Sequence, residues 1–335
     1  MGYYPSLQGR LAFAVLFMPS SVFWGSAILK DTFTFTGLCY YVYAVDQVFF
    51  RKGPRLRSWG TLLLGTMMIL MMKPYVFMVL FPASLLWIMY ERVQRLRNVL
   101  FRALALPVGA VLLAVVSIYV LERMEGRLDK FSLNRALDTI VIAQHDLKRS
   151  EQYGQNYFDI GEVEATWGSV LSKFPQATFA GLFRPALTDV SNVAMLVSAL
   201  ENTYLLLLTA LILWRSRIVY LVTLLVKNPL LQMCFTFAII YAFTIAVSTP
   251  NFGAMVRFKI PLLPLFVSAL FITRYILDQR RATLRSGRRF SFDAYSGGEP
   301  PTAEEVPAAR GGRPHARRGP QTTVRYTSRA SSSDR

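Results

Sequence analysis

Residues 59–90 read WGTLLLGTMMILMMKPYVFMVLFPASLLWIMY, an apolar stretch that contains one charged residue, Lys73. Basic residues flank the stretch on both sides, in RKGPRLR at 51–57 and ERVQRLR at 91–97. Because proline lacks an N–H and breaks a continuous helix, Pro74 predicts a turn in the middle. Lys and Arg are enriched in cytoplasmic connections, so the stretch is predicted to be a helical hairpin with its Lys-Pro tip on the outer side of a membrane.

Apolar segments of comparable length recur along the rest of the chain, and most are close to the ~20 residues that a helix needs to cross the hydrocarbon. Hydrophobic residues make up 53% of the chain, in runs too long and too poorly alternating for a soluble core. We therefore predict an all-α fold, a polytopic transmembrane helical bundle of about eight helices. The predicted spans are Leu11–Leu29, Thr32–Phe50, Trp59–Met72, Pro74–Tyr90, Ala103–Leu121, Val193–Trp214, Leu230–Ser248 and Ile260–Leu277.

The formal net charge of +17 invites a nucleic-acid partner, but its distribution favours membrane topology. Lys and Arg lie mainly in the short connections between apolar segments, as the positive-inside rule describes. We therefore predict cytoplasmic termini and no nucleic-acid partner. The basic residues in these connections are Arg10, Arg51, Lys52, Arg55, Arg57, Arg92, Arg95, Arg97, Arg102, Arg215, Arg217, Lys227, Arg274, Arg280 and Arg281.

We predict a transmembrane domain, 1–277, which includes an extracytoplasmic loop at 122–192, and a tail at 278–335. Residues 122–192 carry slightly more acidic than basic residues, as expected of a translocated loop, and their apolar spacing predicts an amphipathic helix and short interfacial helices. The tail is rich in Arg, Gly, Pro, Ser and Ala. It has too little aliphatic content to form a core, so we predict a disordered, basic cytoplasmic tail.

The cysteines and histidines give no sign of a redox or metal centre. Cys39 and Cys234 lie in different predicted spans, and His145 and His315 have no partners at metal-ligand or catalytic spacing. These residues predict neither a disulfide nor a structural zinc. We expect no cofactor, and the sequence leaves a metal requirement open.

Polar residues from five connections fall on the predicted outer face. Arginine offers a bidentate fork and lysine a point charge, and both suit a phosphate or pyrophosphate headgroup. A carboxylate among them could act as a general base toward a sugar hydroxyl. The residues are Lys30, Asp31, Lys73, Arg184, Asp189, Glu201, Asn251, Arg257 and Lys259.

Structural explanations compete with these functional ones. Lys30 and Asp31 can simply pair with each other at the interface, and Lys73 can extend its ammonium to the membrane surface. Glu201 lies about two turns inside a predicted span, where an acid is costly and normally faces a partner or a cavity. That partner can be purely structural.

Four stretches resemble the type C glycosyltransferases, the superfamily of enzymes that use polyprenyl-phosphate-linked sugars. They are FMPSSVFWGSAILKD at 17–31, MKPYVFMVLFPASLLW at 72–87, LFRPALTDVSNVAMLVSALEN at 182–202 and STPNFGAMVRFKIPLLPLF at 248–266. The last is similar to the Arg-x-Arg/Lys-x-Pro entry to a late helix in those proteins. The resemblance implies a multi-pass protein of the bacterial inner membrane, with an outer active site fed by a lipid-linked sugar.

The resemblance also implies a catalytic acid, which those enzymes usually carry in a long first outer loop. Here the first outer connection is the two-residue turn Lys30-Asp31. Either the sequence lacks one or two amino-terminal helices that carry the acid, or the chain is a relative without that chemistry; in a complete chain, another acid must replace the missing one. Asp189, which follows an Arg-Pro pair, is the first choice, with Asp31 and Glu201 as alternatives. Residues predicted to bind the donor are Lys30, Lys73, Arg184, Asn251, Arg257 and Lys259.

The leading hypothesis is thus a membrane glycosyltransferase that transfers a sugar from a polyprenyl-phosphate donor to a glycan, lipid or protein acceptor of the cell envelope. The alternative is a non-catalytic or polymerase-type envelope polysaccharide protein that binds lipid-linked glycans. Both would bind polyprenyl phosphate, so basic residues do not separate them. A secondary transporter is third, since we find no convincing internal repeat of the kind such proteins carry.

Overall fold

The computed structural model describes residues 3–51, 53–94, 137, 140–142, 158–161, 164–249, 251–287 and 289–295, and all regular structure in these ranges is helical. Short 3-10 turns occupy Pro5–Leu7, Leu187–Asp189 and Phe292–Tyr295. The helices are α1 (Gln8–Leu16), α2 (Pro19–Gly25), α3 (Lys30–Phe49), α4 (Arg55–Met72), α5 (Pro74–Gln94), α6 (Trp167–Ser172), α7 (Phe174–Phe183), α8 (Val193–Arg215), α9 (Ile218–Lys227), α10 (Pro229–Ser248), α11 (Phe252–Phe258) and α12 (Leu262–Arg285).

Three of the described helices are long and apolar enough to cross a membrane, which agrees with the prediction of a membrane protein. They are Met195–Arg215 in α8, all of α10 and all of α12. The number of eight spans is not confirmed. The predicted span Ala103–Leu121 and most of the predicted outer loop, 122–192, lie outside the described residues.

The first predicted span, Leu11–Leu29, is wrong as a single helix. The helix α1 ends at Leu16 and α2 begins at Pro19, while Met18 between them is extended. A proline disfavours helical geometry in the preceding residue and cannot donate to the helical ladder, which explains the break. The break turns the first residues of α2 toward α8, where Ser20 becomes part of the polar site described below.

The predicted Lys-Pro hairpin is present, since α4 ends at Met72 and α5 begins at Pro74. Its first helix packs closely against α3 through two facing glycines. A Cβ added to Gly65 would lie 2.7 Å from the backbone N of Tyr41 and 2.9 Å from the carbonyl O of Gly37. Any side chain at Gly65 would therefore push the two helices apart.

The helix α10 lies in the centre of the core, between α5, α7 and α12. Its residues Phe237, Tyr241 and Ile245 are almost completely buried. The helix α7 crosses it at Gly181, where an added Cβ would approach the carbonyl O of Ala242 to 2.2 Å. Since α10 is buried on most sides, it fixes the helices around it.

At one end of the helices, the start of the chain packs against its last described residues. The Asn228 amide donates to the Tyr4 hydroxyl at 2.8 Å and to the Tyr295 carbonyl at 2.7 Å. The helix α12 reaches Arg285, beyond the boundary at Asp278 that the sequence predicts. Residues 296–335, which contain most of the predicted tail, lie outside the described part of the chain.

The helix α9 has no counterpart among the predicted spans, because its sequence was interpreted as a basic connection. It buries Leu221 and Leu224 and exposes an apolar face on the other side. The residues of this face are Ile218, Val219, Val222 and Val226. A short amphipathic helix with basic residues at both ends is typical of a membrane interface.

Candidate functional site

A buried carboxylate, Asp31, pairs with two cations at the end of the helices opposite Asn228. Asp31 lies in the first turn of α3 and is 1% exposed. The Lys73 ammonium contacts its Oδ1, and Nη2 of Arg257 lies 3.3 Å from its Oδ2. Three connections distant in sequence thus meet at one carboxylate. Lys30, the sequence neighbour proposed as its structural partner, is exposed instead.

Aromatic rings surround these three charges. The Lys73 ammonium lies 4.3 Å from the centroid of the Phe258 ring, and the Arg257 guanidinium 5.1 Å from that of Trp24, distances typical of cation–π contacts. The Tyr75 ring stacks on Tyr241. The site is therefore largely shielded from solvent, which strengthens the interactions among its charges.

The site is open at Arg257. The Arg257 side chain is 40% exposed, yet its Nε is buried and has no hydrogen-bond partner among the described residues. An unpaired buried donor is costly and marks a position where an acceptor oxygen would be favourable. Arg257 therefore has one donor, its Nε, that no described residue uses.

A second cluster is centred on Lys259, two residues after Arg257. Lys259 is 3% exposed, and its ammonium donates to the Leu182 carbonyl at 2.9 Å, the Arg184 carbonyl at 3.2 Å and Oδ1 of Asn202 at 2.7 Å. Three acceptors match the three N–H groups of a protonated lysine. Burial lowers the pKa of Lys259, and the Glu201 carboxylate opposes this shift. The geometry assigns Lys259 to the joint between α7, α8 and α12.

Glu201 also has a partner within the protein, as the structural alternative predicted. Its Oε2 accepts the backbone N–H of Ser20 at 2.8 Å, and the hydroxyls of Ser20 and Ser198 lie 3.3 Å apart. The charge of Lys259 acts on the same carboxylate. Glu201 therefore holds the broken start of the chain against α8.

Arg184 and Asp189 form a bidentate pair with each other. Nε of Arg184 lies 3.0 Å from Oδ2, and Nη2 lies 2.7 Å from Oδ1. Burial acts to raise the pKa of Asp189, but the hydrogen bonds from Arg184 and from the Ala186 N–H, together with the Arg184 charge, hold it below its usual value. A carboxylate in this position is a weak base, and the guanidinium fork is already engaged.

A cavity of about 220 Å³ lies beside this pair, lined by Phe158, Phe179 and Arg184 among others. The remaining predicted residue of the last outer turn, Asn251, caps α11 by accepting the Ala254 N–H at 3.2 Å. Its role in the structure is thus local. Within the described ranges, no group of three or more His, Cys, Asp and Glu side chains could hold a metal ion.

The structure brings Asp31, Lys73 and Arg257 together. It places the other sequence-predicted residues in separate contacts and leaves Lys30 exposed. Sequence reasoning did not identify the aromatic residues Trp24, Tyr75 and Tyr241 or the polar partners Ser20 and Asn202. Tyr75 directly follows the Lys-Pro tip and Ser20 follows Pro19, so proximity to a proline break was the available signal for both. Asn202 and Tyr241 lie within continuous apolar helices and gave no such signal.

Comparisons with protein-family models, with curated proteins and with solved structures found no match to this chain. The resemblance to the type C glycosyltransferases thus receives no support from them.

Proposed function

We propose that the protein is a membrane glycosyltransferase that transfers a sugar from a polyprenyl-phosphate donor to a cell-envelope acceptor on the extracytoplasmic face. The observation that supports this most is the Asp31 site, where a buried carboxylate lies between Lys73 and the partly exposed Arg257. It combines a potential base with two potential phosphate ligands. The proposal also uses the sequence resemblance around these residues.

In the proposed reaction, the donor phosphate competes with Asp31 for the two cations. A phosphate oxygen binds the free Nε of Arg257, and as the guanidinium moves toward the phosphate, Oδ2 of Asp31 is released. Asp31 then accepts the proton of the acceptor hydroxyl while the oxygen of that hydroxyl attacks the anomeric carbon. The bond between that carbon and the phosphate oxygen breaks, and the electron pair goes to the phosphate, stabilised by Arg257 and Lys73.

Geometry favours Asp31 over the other two acids. Asp189 is held by both nitrogens of a guanidinium fork and by a backbone N–H, and Glu201 is bound to the backbone of α2. Releasing either acid would disturb the connection that it holds in place. Asp31 can lose Arg257 to a ligand without any change in backbone contacts.

The alternative is a non-catalytic or polymerase-type protein that binds lipid-linked glycans, and one observation favours it. Both carboxylate oxygens of Asp31 are already engaged, Oδ1 by Lys73 and Oδ2 by Arg257, so neither is free to accept a proton while the two cations stay in place. If the cations remain in place when the lipid binds, the site would hold a phosphate without transferring a sugar.

Replacing Asp31 by asparagine distinguishes the two functions. For an enzyme, we expect transfer of sugar from polyprenyl-phosphate hexoses in membranes to be lost, while binding of undecaprenyl phosphate by the purified protein is retained. Asp46→Asn is the matched control, because Asp46 forms an ion pair with Arg51 at the other end of the helices. Equal transfer in wild type and Asp31→Asn would contradict the proposed base.

The proposed orientation, with both termini cytoplasmic, has its own test. A reporter active only in the periplasm should be active when fused after Glu151 and inactive when fused after Arg57, Arg97 or Arg281, because those three positions lie in basic connections. Reporter activity after Arg97 would contradict the hairpin topology.

A further inference from the structure

A cavity of about 440 Å³ lies at the end of α3 and α4 that is remote from Asp31. It is bounded by the last turn of α3, the first turn of α4 and the end of α5. Arg55 and Arg92 line it together with Val48, Phe49 and Trp59. Neither the proposed transfer reaction nor the core uses this space.

The two arginines of this cavity differ from the nearby Arg51, which pairs with Asp46 at 2.8 Å. Among the carboxylates whose side chains the structure describes, none lies at ion-pair distance from Arg55 or Arg92. The Arg92 guanidinium lies 5.8 Å from the centroid of the Phe49 ring. The cavity therefore has a net positive charge that the described side chains do not neutralise.

Two aromatic residues line the same cavity. Phe49 and Trp59 make an edge-to-face contact with ring centroids 6.3 Å apart, and Trp59 is 55% exposed. Trp59 is also the residue at which the apolar stretch of α4 begins. Tryptophan at such a boundary is typical of the membrane–water interface. Two arginines and an exposed indole that line one cavity match a phosphate headgroup with an attached acyl chain.

We infer that this cavity binds an acidic glycerophospholipid, with the headgroup phosphate between Arg55 and Arg92 and the start of an acyl chain against Trp59. Basic pockets between membrane helices on the cytoplasmic side favour anionic lipids in this way. The proposal concerns a site at the opposite end from Asp31, and it does not depend on glycosyl transfer. A lipid in this position would hold α3, α4 and α5 together at their cytoplasmic ends.

The test measures quenching of Trp59 fluorescence by phosphatidylglycerol with brominated acyl chains, using the full-length protein in phosphatidylcholine nanodiscs. The signal of a Trp59→Phe variant is subtracted as background. Wild type should be quenched more strongly by brominated phosphatidylglycerol than by brominated phosphatidylcholine. In Arg55→Gln/Arg92→Gln, phosphatidylglycerol should bind roughly thirtyfold more weakly, from the contribution of each basic residue near an anionic surface.

Arg57→Gln/Arg217→Gln is the matched control. Both arginines are exposed and neither lines the cavity, and their replacement removes the same amount of charge. This control should keep the preference for phosphatidylglycerol. If both double variants lose phosphatidylglycerol binding to the same extent, the attraction is nonspecific and the proposal is overturned. Equal quenching of wild type by the two brominated lipids would also overturn it. If undecaprenyl phosphate displaces the brominated phosphatidylglycerol more strongly than unlabelled phosphatidylglycerol does, the assignment to a glycerophospholipid is overturned.

Discussion

Replacing Lys259 by methionine should destabilise the protein by about 3 to 5 kcal/mol, the range for removal of one partner from a buried charged network. Methionine can fill the space of the lysine stem but cannot donate a hydrogen bond. The Leu182 and Arg184 carbonyls and Oδ1 of Asn202 would lose their shared donor, and Glu201 would lose a nearby positive charge. The quantity to measure is the free energy of unfolding of the purified protein in detergent.

Lys30→Met is the matched control, because Lys30 is an exposed lysine at the same end of the helices. Its effect should stay within about 0.5 kcal/mol, as for most surface substitutions. If the two variants have the same free energy of unfolding, Lys259 does not hold α7, α8 and α12 together. It would then be available for a ligand, as the sequence alone predicted.

The second large effect is expected in variants of the Asp31–Lys73 pair, which separate its structural role from its proposed role in sugar transfer. Asp31→Asn and Lys73→Met should each reduce stability by about 3 to 5 kcal/mol, because each leaves a buried charge without its main partner. The double variant Asp31→Asn/Lys73→Met should recover most of that loss, since both charges are removed together. Arg257 is partly exposed, so water can solvate it in the absence of Asp31.

Transfer activity should not recover with stability. Removal of a general base typically lowers the rate by about a hundredfold to ten-thousandfold, and the double variant still lacks the carboxylate. Glycan transfer in membranes, normalised to protein amount, should therefore remain low in Asp31→Asn and in the double variant. Recovery of both stability and transfer in the double variant would show that Asp31 is only a structural partner of Lys73.

Local chain chemistry made much of the fold predictable. A proline after Lys73 marked the hairpin turn, and long apolar runs marked α8, α10 and α12. The break before Pro19 follows the same rule but was missed, because the continuous apolar content around it favoured a single span. The helix α9 was missed because it is short and lies between basic residues that resemble a connection.

The pairing of charges was much harder to predict, because it depends on distances that the sequence does not contain. Lys30 and Asp31 are neighbours in sequence, but successive helical residues point in different directions, and Asp31 meets Lys73 instead. Asp189 was the preferred acid on the basis of its position after an Arg-Pro pair. The turn Leu187–Asp189, which follows this pair, brings the Asp189 carboxylate back to Arg184. The motif that suggested catalysis therefore supplies the ion-pair partner of Asp189.

The close contact between Gly37 and Gly65 limits which parts of the site can move. Because there is no room for even a Cβ between the two backbones here, a shift of α3 against α4 would bring backbone atoms into collision, and we expect the two helices to move together. Asp31 and Lys73 are both attached to this pair of helices and keep their separation. Arg257 lies on the seven-residue helix α11, outside it. Any opening of this site would therefore displace α11, with α3 and α4 acting as the fixed frame.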